Sequence, residues 1–418
     1  MVHIFKRHTL NVFPSFRYRN YRIFFASQII SLTGHWLQTV AQGYLVFQLT
    51  HSAFMVGLME AIAQAPAMFL TLVGGALADR FNKQTILKIT QICQFFFASL
   101  LGIFILSGNV SLITIGVLAF LLGIVRAIDH PTRISIITEL VDKKDLHAAT
   151  ATNMSVFNSA RIVGPAIAGW LIVAFGVGWA FLLNGLSFIA PFLAYFFIHF
   201  TPHIKKTHPN TLSSIKEGIS YAKSHKLIRL LLIYLSVISI FGWSYTTILP
   251  VIAEKVFNQG PQGLGYLYSA AGVGSVLGAI SVSAYTKKFN TKKLVLFGGL
   301  LYGAALVAFS LTVNYQLALL LLFLTGFGIT TQNSTIQATI QHEVEDRFRG
   351  RVSSLQALVL MGLHPVGSFQ IGTVAQYFGS QIAVRAGGIV LFIAAILLFF
   401  KTPTPQNRHS ELVSESPN

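Results

Sequence analysis

About twelve runs of twenty or more mostly apolar residues follow one another along the chain, and no other feature restricts its fold as severely. About 20 residues at 1.5 Å rise per residue, wound as a helix, match the hydrocarbon thickness of a bilayer. Inside lipid every backbone N–H and C=O needs a partner within the protein, and a helix supplies all of them. The chain is 53% hydrophobic and only 10% charged, against about 25% charged in soluble domains. Hydropathy places spans near 20–48, 53–78, 84–106, 110–136, 148–175, 179–200, 227–250, 263–285, 293–313, 316–340, 352–378 and 381–401. The expected class is an all-α integral membrane protein with twelve transmembrane helices.

Charge sets the expected orientation. Of the 30 Lys and Arg, Arg126, Arg161 and Arg385 fall inside spans and Lys255 in one connection. The rest lie at the N-terminus, near 79–88, 133–147, 201–229, 286–293 and 341–351, and in the tail, all on one side of an alternating topology. The positive-inside rule makes that side cytoplasmic, with both termini inside. The net charge of +17 is thereby a topology signal, and no nucleic-acid partner is expected. A single cysteine, Cys93, excludes a disulfide framework, paired-cysteine zinc sites and redox dithiols. The first apolar stretch is too long for a signal peptide and lacks a small-residue cleavage site, so it is read as an uncleaved first helix.

Four regions follow. Residues 1–200 form one six-helix bundle and 227–401 a second. The connection 201–226 carries Thr201-Pro202 and His208-Pro209, which no single helix runs through. Its stretch from Ser213 to Lys223 reads as a short amphipathic helix on the cytoplasmic surface. Residues 402–418, with two early prolines and then polar residues, are expected to be disordered. The halves echo at an offset of about 200 residues. Gly164-Pro165 corresponds to His364-Pro365, and Phe81-Asn82-Lys83 to Phe289-Asn290-Thr291. Parallel six-helix repeats suit a transporter that rocks two bundles about a central site.

Polar residues inside the spans mark the candidate site. Arg161 lies near the centre of span five, where a cation costs about 2.5–3.5 kcal/mol on lenient insertion scales. It is expected to face a watery cavity or a partner; the alternative is an arginine that only holds helices together. Gly164 and Pro165 on the same span, and Pro365 on span eleven, are expected to let helices bend. Span four carries Arg126, Asp129, His130 and Arg133 at spacings that share one face, an Arg126–Asp129–Arg133 ladder. This is read either as an ion-pair relay or as a structural pair at the headgroup zone, with Pro131 bending the helix. Span one has a polar stripe at Gln28, Ser31, His35, Gln38 and Gln42. Glu60 and Gln64 share a face of span two; Glu60 is a candidate proton carrier or an arginine's partner. Trp243, Tyr245, Gln332, Asn333 and His364 complete the candidate cavity from the second half, although each taken alone is more often a helix-packing residue than a ligand contact. The glycines of span eight, Gly265, Gly272, Gly274 and Gly278, read as a close-packing surface.

The stretch Gly75-Ala76-Leu77-Ala78-Asp79-Arg80-Phe81-Asn82-Lys83 resembles the loop motif between helices two and three of the major facilitator superfamily, with Asn82 and Gln84 departing from it. Within that superfamily the chain resembles a branch of siderophore (enterobactin-type) and macrolide exporters. The matching stretches are Arg19 to Phe25, Trp36 to Ala41, Asp129 to Arg133, Arg161 to Gly169 and Arg349 to Val352. The resemblance implies the major facilitator fold of two six-helix bundles and alternating access. It implies that Gly75, Asp79, Arg80 and Lys83 form a gating motif, with Asp79 meeting the N-terminal end of span eleven. The segment Gly164-Pro165-Ala166-Ile167-Ala168-Gly169 is similar to a pattern of proton-driven antiporters, with Ala168 in place of a glycine. The resulting expectation is a monomeric inner-membrane exporter of a small organic molecule, a siderophore or a drug, coupled to protons and needing no metal or cofactor. The excess of Arg126 and Arg161 over nearby acids leans toward an anionic group. An uptake symporter of the same fold is the alternative. A membrane-embedded enzyme built on His35, His130 or His364 is the remote one, since no catalytic motif joins them and no Walker phosphate loop occurs.

Overall fold

The computed structural model describes residues 14–198, 211–285 and 290–402, and within them the regular structure is entirely helical. Spans one to five are Arg19–Thr50, Ala53–Arg80, Lys83–Leu106, Leu112–Leu140 and Leu146–Phe175. Span six is broken at Phe188 into Val177–Ser187 and Ile189–Phe197. Span seven covers 226–255, and spans eight to ten are Pro261–Tyr285, Thr291–Leu311 and Tyr315–Glu343. Span eleven is Asp346–Gly362 followed by His364–Phe378, and span twelve is Ser380–Lys401. Eleven of these are long and apolar enough to cross a membrane by composition. Span one is the twelfth, 32 residues long but carrying buried Gln28, Ser31, Gln38 and Gln42 along its length.

Local chemistry sets the helix starts. Ser52, Ser111 and Asn314 each accept a hydrogen bond from the backbone N–H three residues on, at 3.3, 3.1 and 3.0 Å, satisfying a donor that has no intrahelical partner. The repeat is visible in this chemistry. Asn82 caps span three through Thr85 N–H, and Asn290 caps span nine through Lys292 N–H. The sharp turns that end spans five and eleven both sit on a glycine of positive φ, Gly176 at 90° and Gly379 at 93°, a conformation that a side chain would strain. Phe289, the third element of the predicted echo, lies outside the described residues, as do 199–210 of the connection and 403–418 of the tail.

Three features go beyond the hydropathy reading. Span eleven begins at Asp346, a turn and a half before Val352, and breaks at Leu363. Span four continues unbroken through Pro131 to Leu140, and span five through Pro165. The connecting helix, Thr211–Ser224, docks on the start of span eleven: Glu217 pairs with Arg351 at 2.6 Å, and Tyr221 stacks on Phe348 at 4.3 Å.

Spans one to six pack on one another, as do seven to twelve, and the two groups meet along spans five and eight and along spans two and eleven. Glycine makes both seams possible. A Cβ on Gly372 would lie 2.7 Å from the Gly57 Cα, and one on Gly272 would lie 3.1 Å from the Arg161 carbonyl oxygen. Span eight is close-packed on two sides, since Gly274 and Gly278 face the backbone of span ten at Phe323 and Phe327. Apart from Ser269 Oγ, which donates to the Ile162 carbonyl at 2.6 Å within the seam of spans five and eight, the hydrogen bonds that cross between the bundles gather at one face, which carries the turns at 50–52 and 256–260. Gln48 donates to Glu254 at 2.7 Å; Ser52 Oγ and Phe54 N–H donate to Gln376 at 2.9 and 3.3 Å. Gly43 meets Pro250 and Gly169 meets Gln262 at the same end. The molecule is therefore zipped at the face opposite its basic loops.

Candidate functional site

A cavity of about 280 Å³ lies between the bundles, just below the range of about 300–1,000 Å³ for ligand pockets. The N-terminal bundle contributes His35, Gln42, Glu60, Gln94, Arg126 and Arg161, and the C-terminal bundle contributes Trp243, Tyr245, Tyr268 and His364. The wall is thus polar and cationic on one side and mainly aromatic on the other.

On the cationic side Asp129 is a buried hub, 3% exposed. Its Oδ1 accepts from Thr90 Oγ1 at 2.8 Å and Gln91 Nε2 at 2.7 Å, and its Oδ2 lies 3.7 Å from Arg133 Nε. Arg133 in turn donates to Gln28 at 3.0 Å, so spans one, three and four are tied through one carboxylate. The predicted three-member ladder is only partly formed. Arg126 makes no ion pair with Asp129, and its Nε is buried without an acceptor among the described residues. The carboxylates whose field reaches it are those of Glu60 and Asp129. Glu60 itself accepts from Gln64 at 3.1 Å, one turn along span two. Arg161 lies over the Trp36 ring, 5.9 Å from its centroid.

The aromatic side depends on two irregular helices. Span seven runs as α-helix over Lys226–Val237, π-helix over Ile238–Gly242, 3₁₀-helix over Trp243–Ile248 and α-helix again over Leu249–Lys255. Such departures free backbone carbonyls that lipid cannot satisfy. Here Tyr268 OH donates to the Thr246 carbonyl at 2.7 Å, and Ser239 Oγ donates to the Leu360 carbonyl at 2.8 Å, beside the break in span eleven. Thr247 and Ser368 hydroxyls share a bond at 3.0 Å. Trp243 meets His364 edge to face at 6.1 Å. The breaks in spans seven and eleven therefore stabilise each other and place these rings on the cavity wall.

Several expected cavity residues lie elsewhere. Gln38 accepts from Asn184 Nδ2 at 2.5 Å and packs span one on span six. Gln332 is fully buried and accepts from Tyr234 OH at 2.7 Å, inside the C-terminal bundle. Asn333 is absent from the cavity wall, and its Oδ1 is buried without a partner among the described residues. The polar stripe of span one splits because a helix this closely surrounded turns polar residues toward both neighbour and cavity. Gly164 has a role beyond bending: a Cβ there would lie 2.5 Å from the Trp36 Cβ, so it admits span one. Pro365 follows the break at Leu363 directly. In the loop motif, Asp79 and Arg80 are exposed at the open face, and Asp79 makes no hydrogen bond or ion pair among the described residues. Lys83 pairs with Glu139 at 2.5 Å, while Gly75 has open space where a Cβ would lie. The close approach is made by Gly74, against the backbone of Ala127 and Ile128.

Trp36, Gln94 and Tyr268, together with the Thr90 and Gln91 donors, were not among the sequence candidates. The Thr90, Gln91, Gln94 spacing of one face on an otherwise apolar span was the signal for three of them. Among the described residues no group of three His, Cys, Asp or Glu is placed to hold a metal ion.

Two six-helix groups around one central cavity, joined by glycine seams and with broken helices on its wall, define a multi-pass membrane transporter of the major facilitator superfamily. The chain belongs to the transmembrane secretion effector family of that superfamily, matching it over residues 11–417. It is 25% identical over 382 residues to the staphyloferrin A transporter of Staphylococcus aureus (strain NCTC 8325 / PS 47), covering 91% of this chain and 95% of that one. It is 24% identical over 381 residues to the enterobactin exporter EntS of Shigella flexneri, covering 90% of each. A bacterial homologue of the human lysosomal transporter Spinster, solved inward-facing and unoccupied, shares the fold with a TM-score of 0.75 at 15% identity, covering 93% of this chain and 99% of that one.

Proposed function

We propose that this transporter exports a small anionic organic molecule of the siderophore type across the cytoplasmic membrane by alternating access, in exchange for protons. The observation that carries the reading is the charge of the central cavity. Arg126, Arg133 and Arg161 line it against only Asp129 and Glu60, and one of those acids is committed to Arg133. A low-dielectric cavity with a surplus of cations selects an anion. The names of the staphyloferrin A and enterobactin relatives support a siderophore.

Positive-inside orientation puts both termini in the cytoplasm, so the zipped face is the outer one and this is the state that loads from inside. Rocking the bundles would unzip Gln48 from Glu254 and Gln376 from Ser52, and bring the inner halves of spans two and eleven together. Asp79, now exposed, would then approach the start of span eleven, where a helix N-terminus favours a carboxylate by about 0.3–1 kcal/mol. Asp79→Asn should therefore lower transport without lowering abundance. Glu60, which lines the cavity and accepts only a neutral hydrogen bond, is the group that would carry the proton.

The test is reconstitution of purified protein in liposomes with an imposed proton gradient, a siderophore as cargo and a lumenal pH dye. Exchange moves protons opposite to the cargo. Co-directional movement would establish an uptake symporter instead, and no cargo movement would reject the reading.

A further inference from the structure

Intramembrane cations in this protein divide cleanly by partner. Arg133 holds Asp129 and Gln28, and Arg385 donates to Ser310 Oγ at 3.4 Å on the far side of the C-terminal bundle. The two left without a hydrogen-bond acceptor among the described residues, Arg126 and Arg161, both line the central cavity. Beside them Trp36 Nε1, Gln94 Nε2 and Arg126 Nε are buried with no partner among the described residues, and each of these atoms can only donate. A guanidinium carries five N–H donors in a planar fork that fits a carboxylate in bidentate fashion. Arg126 Nε is buried, and the two forks belong to half-buried residues that line a cavity whose wall has few acceptors to match them. Asp129 is engaged by Thr90, Gln91 and Arg133, and Glu60 has one carboxylate for two arginines.

We propose that Arg126 on span four and Arg161 on span five, the latter seated on Trp36, form a two-point oxyanion site, so that the cargo carries at least two separate carboxylate-type groups. The inference rests on the transport reading and specifies its substrate class. Gln94 and the Trp36 N–H supply the remaining donors to the oxyanions. Trp243, Tyr245 and His364 of the opposite wall pack the body of the molecule. Glu60 is an internal competitor for Arg126 and occupies its field when no cargo is bound. Trp36 thus serves as both platform and reporter.

The experiment is binding to detergent-purified full-length protein, followed by calorimetry and tryptophan fluorescence. The probes are a series of aliphatic dicarboxylates of increasing length, tricarballylate, acetate, and the uncharged amides of each. The best polycarboxylate should bind at least tenfold more tightly than acetate or its own amide. Arg126→Gln and Arg161→Gln should each weaken it about tenfold or more, and Arg161→Lys should recover only part of the loss, because ammonium lacks the planar fork. Glu60→Gln should tighten it, an effect opposite in sign to misfolding. Equal binding of acids and amides, or no tightening in Glu60→Gln, overturns the site. So does the absence of any polycarboxylate that binds better than acetate. Cargo movement in liposomes without polycarboxylate binding would overturn this inference alone; binding without movement would overturn the transport reading alone.

Discussion

Replacing Gly372 by valine should turn the cavity toward the opposite face of the membrane. A Cβ at this position would lie 2.7 Å from the Gly57 Cα and 3.0 Å from the Ala53 carbonyl oxygen. Ordinary carbon contacts lie at about 3.5–4.0 Å, so spans two and eleven would have to part by about 1 Å. Both obstacles are backbone, which cannot rotate away. Overpacking of this kind costs about 1–3 kcal/mol, and the cost falls only on the state in which these two helices touch. A differential of that size shifts a two-state population about 5–150-fold. In a Cys93→Ser background, a cysteine at Gln42, which lines the cavity and is 7% exposed, reports the outer opening. Its alkylation by an impermeant maleimide added outside intact cells should accelerate by a factor in that range in Gly372→Val, with a smaller gain in Gly372→Ala. Gly350→Val, where an added Cβ meets nothing within 4 Å, should leave the rate unchanged. An unaltered rate in Gly372→Val, at wild-type abundance, would refute the idea that the glycine seam sets closure of this face.

Asp129→Ala should destabilise the protein by about 3–5 kcal/mol, the range for breaking one side of a buried pair, since it strands Arg133, Thr90 and Gln91 together. Asp129→Asn should cost less because an acceptor remains; thermal unfolding in detergent measures both, and strict additivity with Thr90→Val would deny the hub. Single cysteines replacing exposed Lys143 and Asn109 should label from the inside and outside respectively, and the reverse pattern would invert the topology. Tyr18 donates to Asp145 at 2.7 Å, a hydrogen bond that holds its phenol up at about 12, against 10.0 ordinarily. Since the raised value favours the neutral phenol, the contact is intact below about pH 10 and is lost as the pH rises through about 12. Ultraviolet titration of wild type minus Tyr18→Phe should show this phenol returning toward its ordinary range in Asp145→Ala.

Hydropathy was sufficient for the helices because a bilayer applies one rule at every position: apolar length, with internal hydrogen bonds. The ends of spans two, three, five and eight were legible in the same local way, while the N-cap role shared by Asn82 and Asn290 emerged only from the structure. The cationic character of the cavity was readable too, because an arginine at mid-span has few places to go. Direction around a helix was harder to read. Gln38 and Gln42 are one turn apart in the same stripe, yet only Gln42 reaches the cavity, while Gln38 is taken by Asn184 from a helix almost 150 residues later. Gln332 was equally plausible as a cavity residue until Tyr234 claimed it. The π and 3₁₀ turns of span seven left no hydropathy signal: Tyr268 satisfies the Thr246 carbonyl, and Ser239 in the π turn in its turn satisfies the Leu360 carbonyl beside the break in span eleven. Local composition therefore determined what each segment is and which residues it must keep from lipid. Only the packing of twelve helices decided which of those residues hold one another and which, like Arg126 and Arg161, line the central cavity with no hydrogen-bond acceptor among the described residues.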